Sequence, residues 1–338
     1  MSIEPRCDGC AVRYGTPTRP KEVIIALMHW RLALCLLVPT VLVEAQDDSS
    51  GIYRAEARLV VLHTTVFDKN GNLVVGLPRD AFHTYEDGVE QRLKLFRRED
   101  VPVSMGIIID NSGSMKNKFE KVKVAAQALV GASNPQDEVF LINFNDDVYR
   151  DVDFTADPHK LAQGLAKIDC KGGTALRDAL KAGILYAKAK GQHDKKVIVM
   201  VTDGDDNMSE TTLDEVVREA QQREVLVYAI ALLSEEEHEA AKRARQALDI
   251  ITRATGGHVW YPRDADEVGR IALQVAHDIR NQYILGYTPS NGALDGGYRQ
   301  IRVTVNGPGH PTARTRTGYY ATADLGSKPA VPKPIIKR

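Results

Sequence analysis

One apolar run constrains the fold of this chain more than any other stretch, because it ends abruptly in a carboxylate. Residues 103–115 read VSMGIIIDNSGSM. The three consecutive isoleucines favour a strand that is buried on both faces, since a half-exposed strand would alternate apolar and polar residues. The strand ends at Asp110, and a polar loop leads to a helical pattern that begins near Lys116. In an open α/β sheet, ligands bind at the edge where the parallel strands end.

The region after residue 103 alternates apolar strands with helices, which predicts an α/β fold with a doubly wound, mainly parallel, Rossmann-like sheet. A second wholly apolar run at 197–202 ends at Asp203, so this carboxylate is expected at the same edge as Asp110. Further strands are predicted at 138–144, 225–232 and 257–261, and helices at 122–130, 161–168, 175–190, 213–223, 235–252 and 268–279.

Both flanks of this α/β region read as β structure. Residues 52–101 contain short strand patterns between turn signals, and three more strand candidates lie at 283–287, 298–305 and 313–320. Each flank alone has little core to bury, so we expect the two to pack into one small sandwich-like module. The predicted order is an N-terminal extension with a signal peptide (1–45), a β module (46–102), the α/β domain (103–280), a β segment that completes the module (281–322) and a disordered basic tail (323–338).

The N-terminal region carries an export pattern. Met28 begins a segment with a positive residue, Arg31, a short apolar stretch at 32–43 and small residues before Gln46. Such a pattern is typical of a cleaved signal peptide, and it fits best if Met28 is the true start. The alternative is an uncleaved N-terminal anchor, although the apolar stretch is short for a membrane span. Either way the sequence predicts an exported protein in the periplasm, in the cell envelope or outside the cell, with no membrane span after cleavage.

Charge and cysteine content exclude several classes of partner and site. The 44 Lys and Arg residues nearly balance the 45 Asp and Glu residues, so the chain lacks the basic field typical of nucleic-acid binding. Cys7 and Cys10 form a CxxC pair, but no second pair of ligands follows at zinc-site spacing, so we interpret the pair as incidental. Cys170 is then the one thiol of the mature chain, whose fold cannot depend on an internal disulfide.

Oxygen donors converge on the predicted sheet edge. Asp110, Ser112 and Ser114 offer one carboxylate and two hydroxyls, which suit a hard cation such as Mg²⁺. Alone, this motif equally describes a serine-rich turn that caps a helix, Thr174 could be a helix N-cap, and Asp203 could be a turn aspartate. Five such donors on three loops of one edge are better explained by a metal site, which would hold Mg²⁺ or alternatively Mn²⁺ or Ca²⁺.

Three motifs of this edge together resemble a known family. DNSGSM at 110–115, the Gly-Gly-Thr loop at 172–174 and VTDG at 201–204 are similar to the metal-ion-dependent adhesion site of von Willebrand factor type A domains. The resemblance covers about residues 103–279. The flanking stretches VFDKNGNLVVGLPRDAFHTYEDG, NQYILGYTP and RTRTGYY resemble those of an exported bacterial group of such proteins.

The resemblance implies roles for the five residues. Ser112 and Ser114 would bind the cation directly, and Asp110 and Asp203 would bind it directly or through water. Thr174 would bind it directly in one conformation and through water in another. Hydroxyls and waters leave the cation attractive to a further anion, so a partner protein would complete the coordination with an acidic side chain.

Other residues are given structural interpretations. The Asp-Asp-Asn turn at 205–207 is expected to be solvated, and Asp146 and Asp147 are expected in a hairpin turn. Asp178 is expected to favour the N-terminus of its helix rather than to buttress the site. Four tyrosines are expected to pack within the β module: Tyr283, Tyr287, Tyr319 and Tyr320.

The sequence therefore predicts an exported protein for cation-dependent protein binding or adhesion, and not an enzyme. One alternative is a structural scaffold of the cell envelope whose metal site is non-functional or only stabilising. A hydrolase fits less well. A phosphoryl-accepting Asp110 would be followed two residues on by a second aspartate, where this chain has Ser112, and Ser112 lacks the G-x-S-x-G frame of a nucleophile elbow.

Overall fold

A computed structural model describes residues 59–98, 100–233, 238–322 and 336–337. The predicted N-terminal extension, its signal peptide and the CxxC pair lie outside these residues, as does most of the predicted tail at 323–338. Within the tail, Ile336–Lys337 is a short strand. Among the described helices, none is long and apolar enough to cross a membrane.

The described residues contain fifteen strands and six α-helices. The strands are β1 (Val60–Phe67), β2 (Phe82–Glu86), β3 (Val89–Gln91), β4 (Leu93–Arg97), β5 (Val103–Asp110), β6 (Glu138–Phe144), β7 (Val148–Thr155), β8 (Lys195–Thr202), β9 (Val225–Ala231), β10 (Val259–Trp260), β11 (Tyr283–Tyr287), β12 (Tyr298–Val305), β13 (Thr312–Arg314), β14 (Gly318–Tyr320) and β15 (Ile336–Lys337). The helices are α1 (Phe119–Gly131), α2 (Pro158–Ala166), α3 (Leu176–Lys190), α4 (Leu213–Arg223), α5 (His238–Thr255) and α6 (Val268–Arg280).

A seven-stranded sheet runs through the α/β region in the order β10-β9-β8-β5-β6-β7-β15. The neighbouring pairs from β10 to β6 are parallel, β7 is antiparallel to β6, and β15 is parallel to β7. This confirms the predicted α/β fold with a mainly parallel sheet. From β5 the chain moves to β6 on one side and then returns to β8 on the other, which makes the β5–β8 boundary a topological switch point.

Helices cover both faces of this sheet. Ile107 and Ile109 of β5 pack in the core with α1, α2 and α6, whereas Ile108 packs in the core with α3, α4 and α5. Because both faces are buried, every residue of β5 is buried, as its unbroken apolar run predicts. At Gly106 a Cβ atom would lie 2.3 Å from the Phe140 ring, so the central strand is packed without spare room.

The segments before and after the α/β region share two antiparallel sheets. One sheet has the order β13-β1-β11-β4 and the other β14-β12-β2-β3. Strand β1 pairs with β11, and β2 pairs with β12, so each sheet combines strands from both flanks. Tyr283, Tyr287 and Tyr319 are buried in the common core of these sheets, where they were expected to pack.

Two β elements differ from the sequence prediction. The single strand predicted at 313–320 is divided into β13 and β14, which belong to different sheets. Between them the Thr317 amide donates to the Ala254 carbonyl of α5 and the Arg316 guanidinium donates to the Val61 carbonyl of β1. These contacts interrupt the strand between β13 and β14. Strand β7 was not singled out. Its side chains are mostly half-buried, because it lies near the outside of the sheet, and its apolar pattern is correspondingly weak.

Candidate functional site at the switch point

The two predicted carboxylates meet at the switch point of the sheet. Asp110 is the last residue of β5, and Asp203 follows the last residue of the neighbouring strand β8. The Thr202 hydroxyl donates to Asp110 Oδ2 at 2.6 Å, which ties the ends of the two strands together. Parallel pairing of β5 with β8 therefore brings residues 93 positions apart to one edge, as the sequence pattern predicts.

Asp110 is fully buried and is held by two donors. Its Oδ1 accepts the Ser112 amide at 2.9 Å, and its Oδ2 accepts the Thr202 hydroxyl. Burial raises the pKa of Asp110 to about 6, although both hydrogen bonds oppose this shift, and the negative charge of Asp203 raises it further. A positive charge beside these two carboxylates would therefore stabilise the ionised form of Asp110.

The two serine hydroxyls connect the first loop to Asp203. Ser112 Oγ lies 3.1 Å from Ser114 Oγ, and the Ser114 hydroxyl donates to Asp203 Oδ1 at 2.8 Å. Ser112 precedes a short 3₁₀ turn, Gly113–Asn117, but its side chain makes no capping hydrogen bond to that turn. A serine-rich helix cap is therefore not what these hydroxyls form.

Thr174 lies beside the same cluster. Its side chain is buried, and its Oγ1 lies 3.7 Å from the position that a Cβ on Gly204 would take, next to Asp203. The N-cap position of α3, expected at Thr174 or a neighbour, is occupied by the next residue, Ala175, so the Thr174 side chain does not cap the helix. The structure thus brings all five predicted residues to one edge. That they bind a cation stays a prediction.

Backbone contacts fix the loops that carry these residues. The Lys171 amide donates to the Asn111 carbonyl at 2.8 Å, and the Gly113 amide donates to the Gly172 carbonyl at 3.1 Å. The Gly173 amide donates to Asp146 Oδ1 at 2.7 Å, which confirms a structural role for Asp146. Gly172 has a φ of +77°, and a Cβ there would lie 2.3 Å from that Asp146 carboxylate. This close approach requires glycine.

The turn after Asp203 is not simply solvated, contrary to the sequence interpretation. Asp206 Oδ2 accepts two hydrogen bonds from Arg177, one from the backbone amide at 2.7 Å and one from the side-chain Nε at 2.9 Å. Asn207 Oδ1 accepts the Thr174 amide at 2.9 Å. The turn at 205–207 is attached to the start of α3, because both loops end at the same sheet edge and satisfy each other's polar groups.

Two further residues support the site: Asp178, for which this role was considered and not preferred, and Lys118, which was not singled out. Asp178 lies in the first turn of α3, but its carboxylate also accepts the amides of Glu210 and Thr211 at 3.1 and 2.9 Å. It therefore does buttress the loop after Asp203. The Lys118 ammonium donates to Asp203 Oδ2 at 2.7 Å. A lysine four residues after Ser114 was the one available sequence signal for this contact.

The donor set suits a hard divalent cation. It consists only of oxygens: the hydroxyls of Ser112, Ser114 and Thr174 and the carboxylates of Asp110 and Asp203. In the part of the chain that the structure describes, no group of three or more His, Cys, Asp or Glu side chains could hold a metal ion. A cation here would therefore rely on neutral hydroxyls and on two carboxylates, which is compatible with Mg²⁺ and does not resemble a sulfur- and nitrogen-rich zinc site.

Comparison with known proteins identifies the family to which this fold belongs. The von Willebrand factor type A domain family matches residues 105–274, which is half of the chain. The uncharacterized protein sll0103 of Synechocystis sp. is 30% identical over 109 residues, covering 31% of this chain and 26% of that protein. The inter-alpha-trypsin inhibitor heavy chain H3 of Bos taurus is 31% identical over 128 residues, covering 34% of this chain and 14% of that protein.

Among solved structures, a von Willebrand factor type A protein from Catenulispora acidiphila is similar over 83% of this chain and 78% of its own, with a TM-score of 0.46 and 13% identity. The two sequence relatives are matched over only 26% and 14% of their own lengths. What those whole proteins do is therefore not transferred to this chain.

Proposed function

The chain belongs to the von Willebrand factor type A domain family, and on that premise we propose that it binds a partner protein through a divalent cation held at the switch point of its sheet. The observation that carries this proposal is the continuous contact from Ser112 through Ser114 to Asp203. Ser114 and Asp203 are 89 residues apart, and turn formation alone would not require their side chains to meet.

We propose that Ser112, Ser114 and Thr174 supply hydroxyl oxygens and that Asp110 and Asp203 supply the charge. Mg²⁺ is the favoured cation, with Mn²⁺ or Ca²⁺ as alternatives, because small hard cations prefer oxygen ligands and retain positions for water or a partner. A bound cation supplies positive charge toward the solvent. An acidic side chain of the partner protein is the chemistry that this charge would recognise.

Export completes the proposal. The segment that begins at Met28 supports it, because a positive residue, an apolar stretch and small residues before Gln46 have the order of a cleaved signal peptide. The partner would then be another protein of the periplasm, the cell envelope or the extracellular space.

A binding role is proposed in preference to catalysis. Both carboxylate oxygens of Asp110 already accept hydrogen bonds, from the Ser112 amide and the Thr202 hydroxyl, which hold the group in place and reduce its nucleophilicity. We therefore expect no turnover of generic phosphoesters or acyl esters above the level of the Asp110→Ala variant. Turnover that depends on Asp110 would contradict this part of the proposal.

Calorimetric titration of Mg²⁺ and Mn²⁺ into the full chain tests the proposed cation site. We expect one site in the wild type and an affinity at least about 100-fold weaker in Asp110→Ala, because one of two negative charges is removed. Asp266→Ala is the matched control, since it removes an exposed carboxylate whose partner is Lys121, and it should bind like the wild type.

The outcomes separate the alternatives. Equal cation uptake by the wild type and by Asp110→Ala would place the cation elsewhere and contradict the assignment of the five residues. Binding of the cation without any exported protein retained in pull-downs, with or without chelator, would instead favour the structural scaffold. Chelator-sensitive capture that is lost in Asp110→Ala is the result expected for a binding module.

Asn207→Ala should lower the cation affinity of the site although it removes none of the five proposed oxygen ligands. The change removes the acceptor of the Thr174 amide and keeps the backbone amides of Asn207 and Met208 that donate to the Thr174 carbonyl, so Thr174 is held less firmly. The exposed position of Asn207 keeps the effect on folding small. Loss of such a supporting contact weakens metal affinity by about 10- to 100-fold. Met208→Ala removes an exposed neighbouring side chain and should leave the affinity unchanged. Equal cation affinities of Asn207→Ala and Met208→Ala would contradict the role of Asn207 in positioning Thr174.

A further inference from the structure

Lys118 makes an ion pair that differs from those on the protein surface. Its Nζ donates to Asp203 Oδ2 at 2.7 Å and lies 3.4 Å from the Leu232 carbonyl oxygen. The side chain of Asp203 is 0% exposed, whereas that of Lys118 is 30% exposed. A buried carboxylate of the proposed cation site is therefore neutralised by an ammonium group that reaches it from the solvent side.

The backbone directs Lys118 to this position. The chain passes from the Gly113–Asn117 turn into α1, and the Lys118 amide donates to the Met115 carbonyl at 2.9 Å. Ser114 lies within this turn and Lys118 follows its end, and both side chains donate to the same carboxylate, that of Asp203. Lys116, in the same turn, is exposed and illustrates a lysine that is simply solvated.

With Lys118 in place, both carboxylate oxygens of Asp203 are engaged. Oδ1 accepts the Ser114 hydroxyl and Oδ2 accepts Lys118. An ammonium and a divalent cation on the same carboxylate would repel each other at close range. The Asp203 carboxylate can therefore bind either the ammonium group or the divalent cation at close range, but not both.

We propose that Lys118 is a built-in counter-ion, which pairs with the Asp203 carboxylate when no divalent cation is bound. Its ammonium group must move away from Asp203 when a divalent cation binds. Lys118 thereby lowers the affinity of the site for divalent cations and keeps its loops ordered without them. This inference rests on the proposed function, because it assumes that the five oxygen donors bind a cation. Long, flexible lysine side chains suit such an exchange, since the ammonium group can return to water.

The affinity effect follows from competition. If the ammonium is withdrawn from Asp203 about one tenth of the time, the apparent dissociation constant is about tenfold above the intrinsic one. Removing the ammonium should therefore tighten binding of Mg²⁺ and Mn²⁺ by about tenfold. The same change should lower the melting temperature of the cation-free protein, because it leaves Asp203 buried without its counter-charge.

The test compares the full-length wild type with Lys118→Met and Lys116→Met by calorimetric titration of Mg²⁺ and Mn²⁺ and by thermal unfolding. Lys118→Met should bind about tenfold more tightly, melt at a lower temperature without divalent cations and recover at saturating Mn²⁺. Lys116→Met has the same formal charge change two residues away, and it should alter neither quantity appreciably. Lys118→Gln retains a hydrogen-bond donor without the charge, and it serves if Lys118→Met does not fold.

The outcomes distinguish this inference from the proposed function. A wild type that binds cations, together with a Lys118 variant of equal or weaker affinity, overturns the counter-ion role and leaves the cation site intact. Equal tightening in Lys116→Met and Lys118→Met also overturns it, because general charge would then suffice. If neither the wild type nor the Lys118 variants bind Mg²⁺ or Mn²⁺, both the cation site and the counter-ion are wrong.

Discussion

Replacing Asp278 with alanine should destabilise the protein by about 3 to 5 kcal/mol, the cost typical of removing one partner from a buried ion pair. Asp278 lies on α6 and is buried. Its Oδ1 accepts the Thr65 hydroxyl of β1 at 2.9 Å, and its Oδ2 forms an ion pair with Arg314 of β13. The variant would leave Arg314 without its ion-pair partner and the Thr65 hydroxyl without its hydrogen-bond acceptor. Both groups lie at the junction between the α/β region and the flanking sheets.

The surroundings of Asp278 make compensation difficult. Gln282 Nε2 donates to both the Thr65 hydroxyl and the Tyr228 hydroxyl, each at 3.1 Å, so the polar groups form one buried network. Lys195 is also buried nearby. Burial lowers the pKa of Lys195 to about 8, whereas the charge of Asp278 acts in the opposite direction. Loss of Asp278 would leave the positive charges of Arg314 and Lys195 with less negative charge nearby, in a region that water reaches poorly.

Thermal unfolding measures this effect, with Asp266→Ala as the control. Asp266 pairs with Lys121 on the surface near the start of α6, and its loss should change stability by no more than about 0.5 kcal/mol. A similar small change for Asp278→Ala would show that the buried network contributes little. Cation affinity of folded Asp278→Ala should stay at the wild-type value, because the residue supports the junction and does not contact the five site residues.

The sequence predicts those elements whose apolar residues follow one regular pattern along the whole element. Helix α4 and strand β11 have the predicted bounds, 213–223 and 283–287, because each presents a regular apolar pattern to a core. Strand β7 was missed, since most of its side chains are only half-buried. The break between β13 and β14 was also missed, because it depends on contacts of Arg316 with distant backbone and not on local turn residues.

The candidate site was predictable for a different reason. Asp110 and Asp203 end strands that pair in parallel, so topology alone brings them to one edge, whatever the loops do. The contacts of Asn207 with Thr174 and of Lys118 with Asp203 span 33 and 85 residues. They depend on how the loops rest on each other, and in a single sequence an asparagine or a lysine in a polar loop reads as solvated.

Gly257→Ala should also destabilise the protein strongly. A Cβ at this position would lie 1.9 Å from the Val227 carbonyl oxygen and 2.6 Å from its carbon, both backbone atoms of β9. Rotation of a side chain cannot relieve a clash with backbone, so either β9 or the segment that enters β10 must move. Overpacking of this kind typically costs about 1 to 3 kcal/mol, and the upper end of this range is expected where the neighbouring atoms are backbone.

The chain offers a glycine that isolates this clash from the general effect of substituting glycine. Gly269 lies in α6, and a Cβ there meets nothing within 4 Å, so Gly269→Ala should stabilise the protein by about 0.5 to 1 kcal/mol through helix propensity. Opposite signs for the two variants in thermal unfolding would follow from the backbone clash at Gly257 and from helix propensity at Gly269. If Gly257→Ala were tolerated like Gly269→Ala, the pairing of β10 against β9 would have to be looser than the Val227 contact requires. The edge of the sheet next to α5 would then be able to shift without cost.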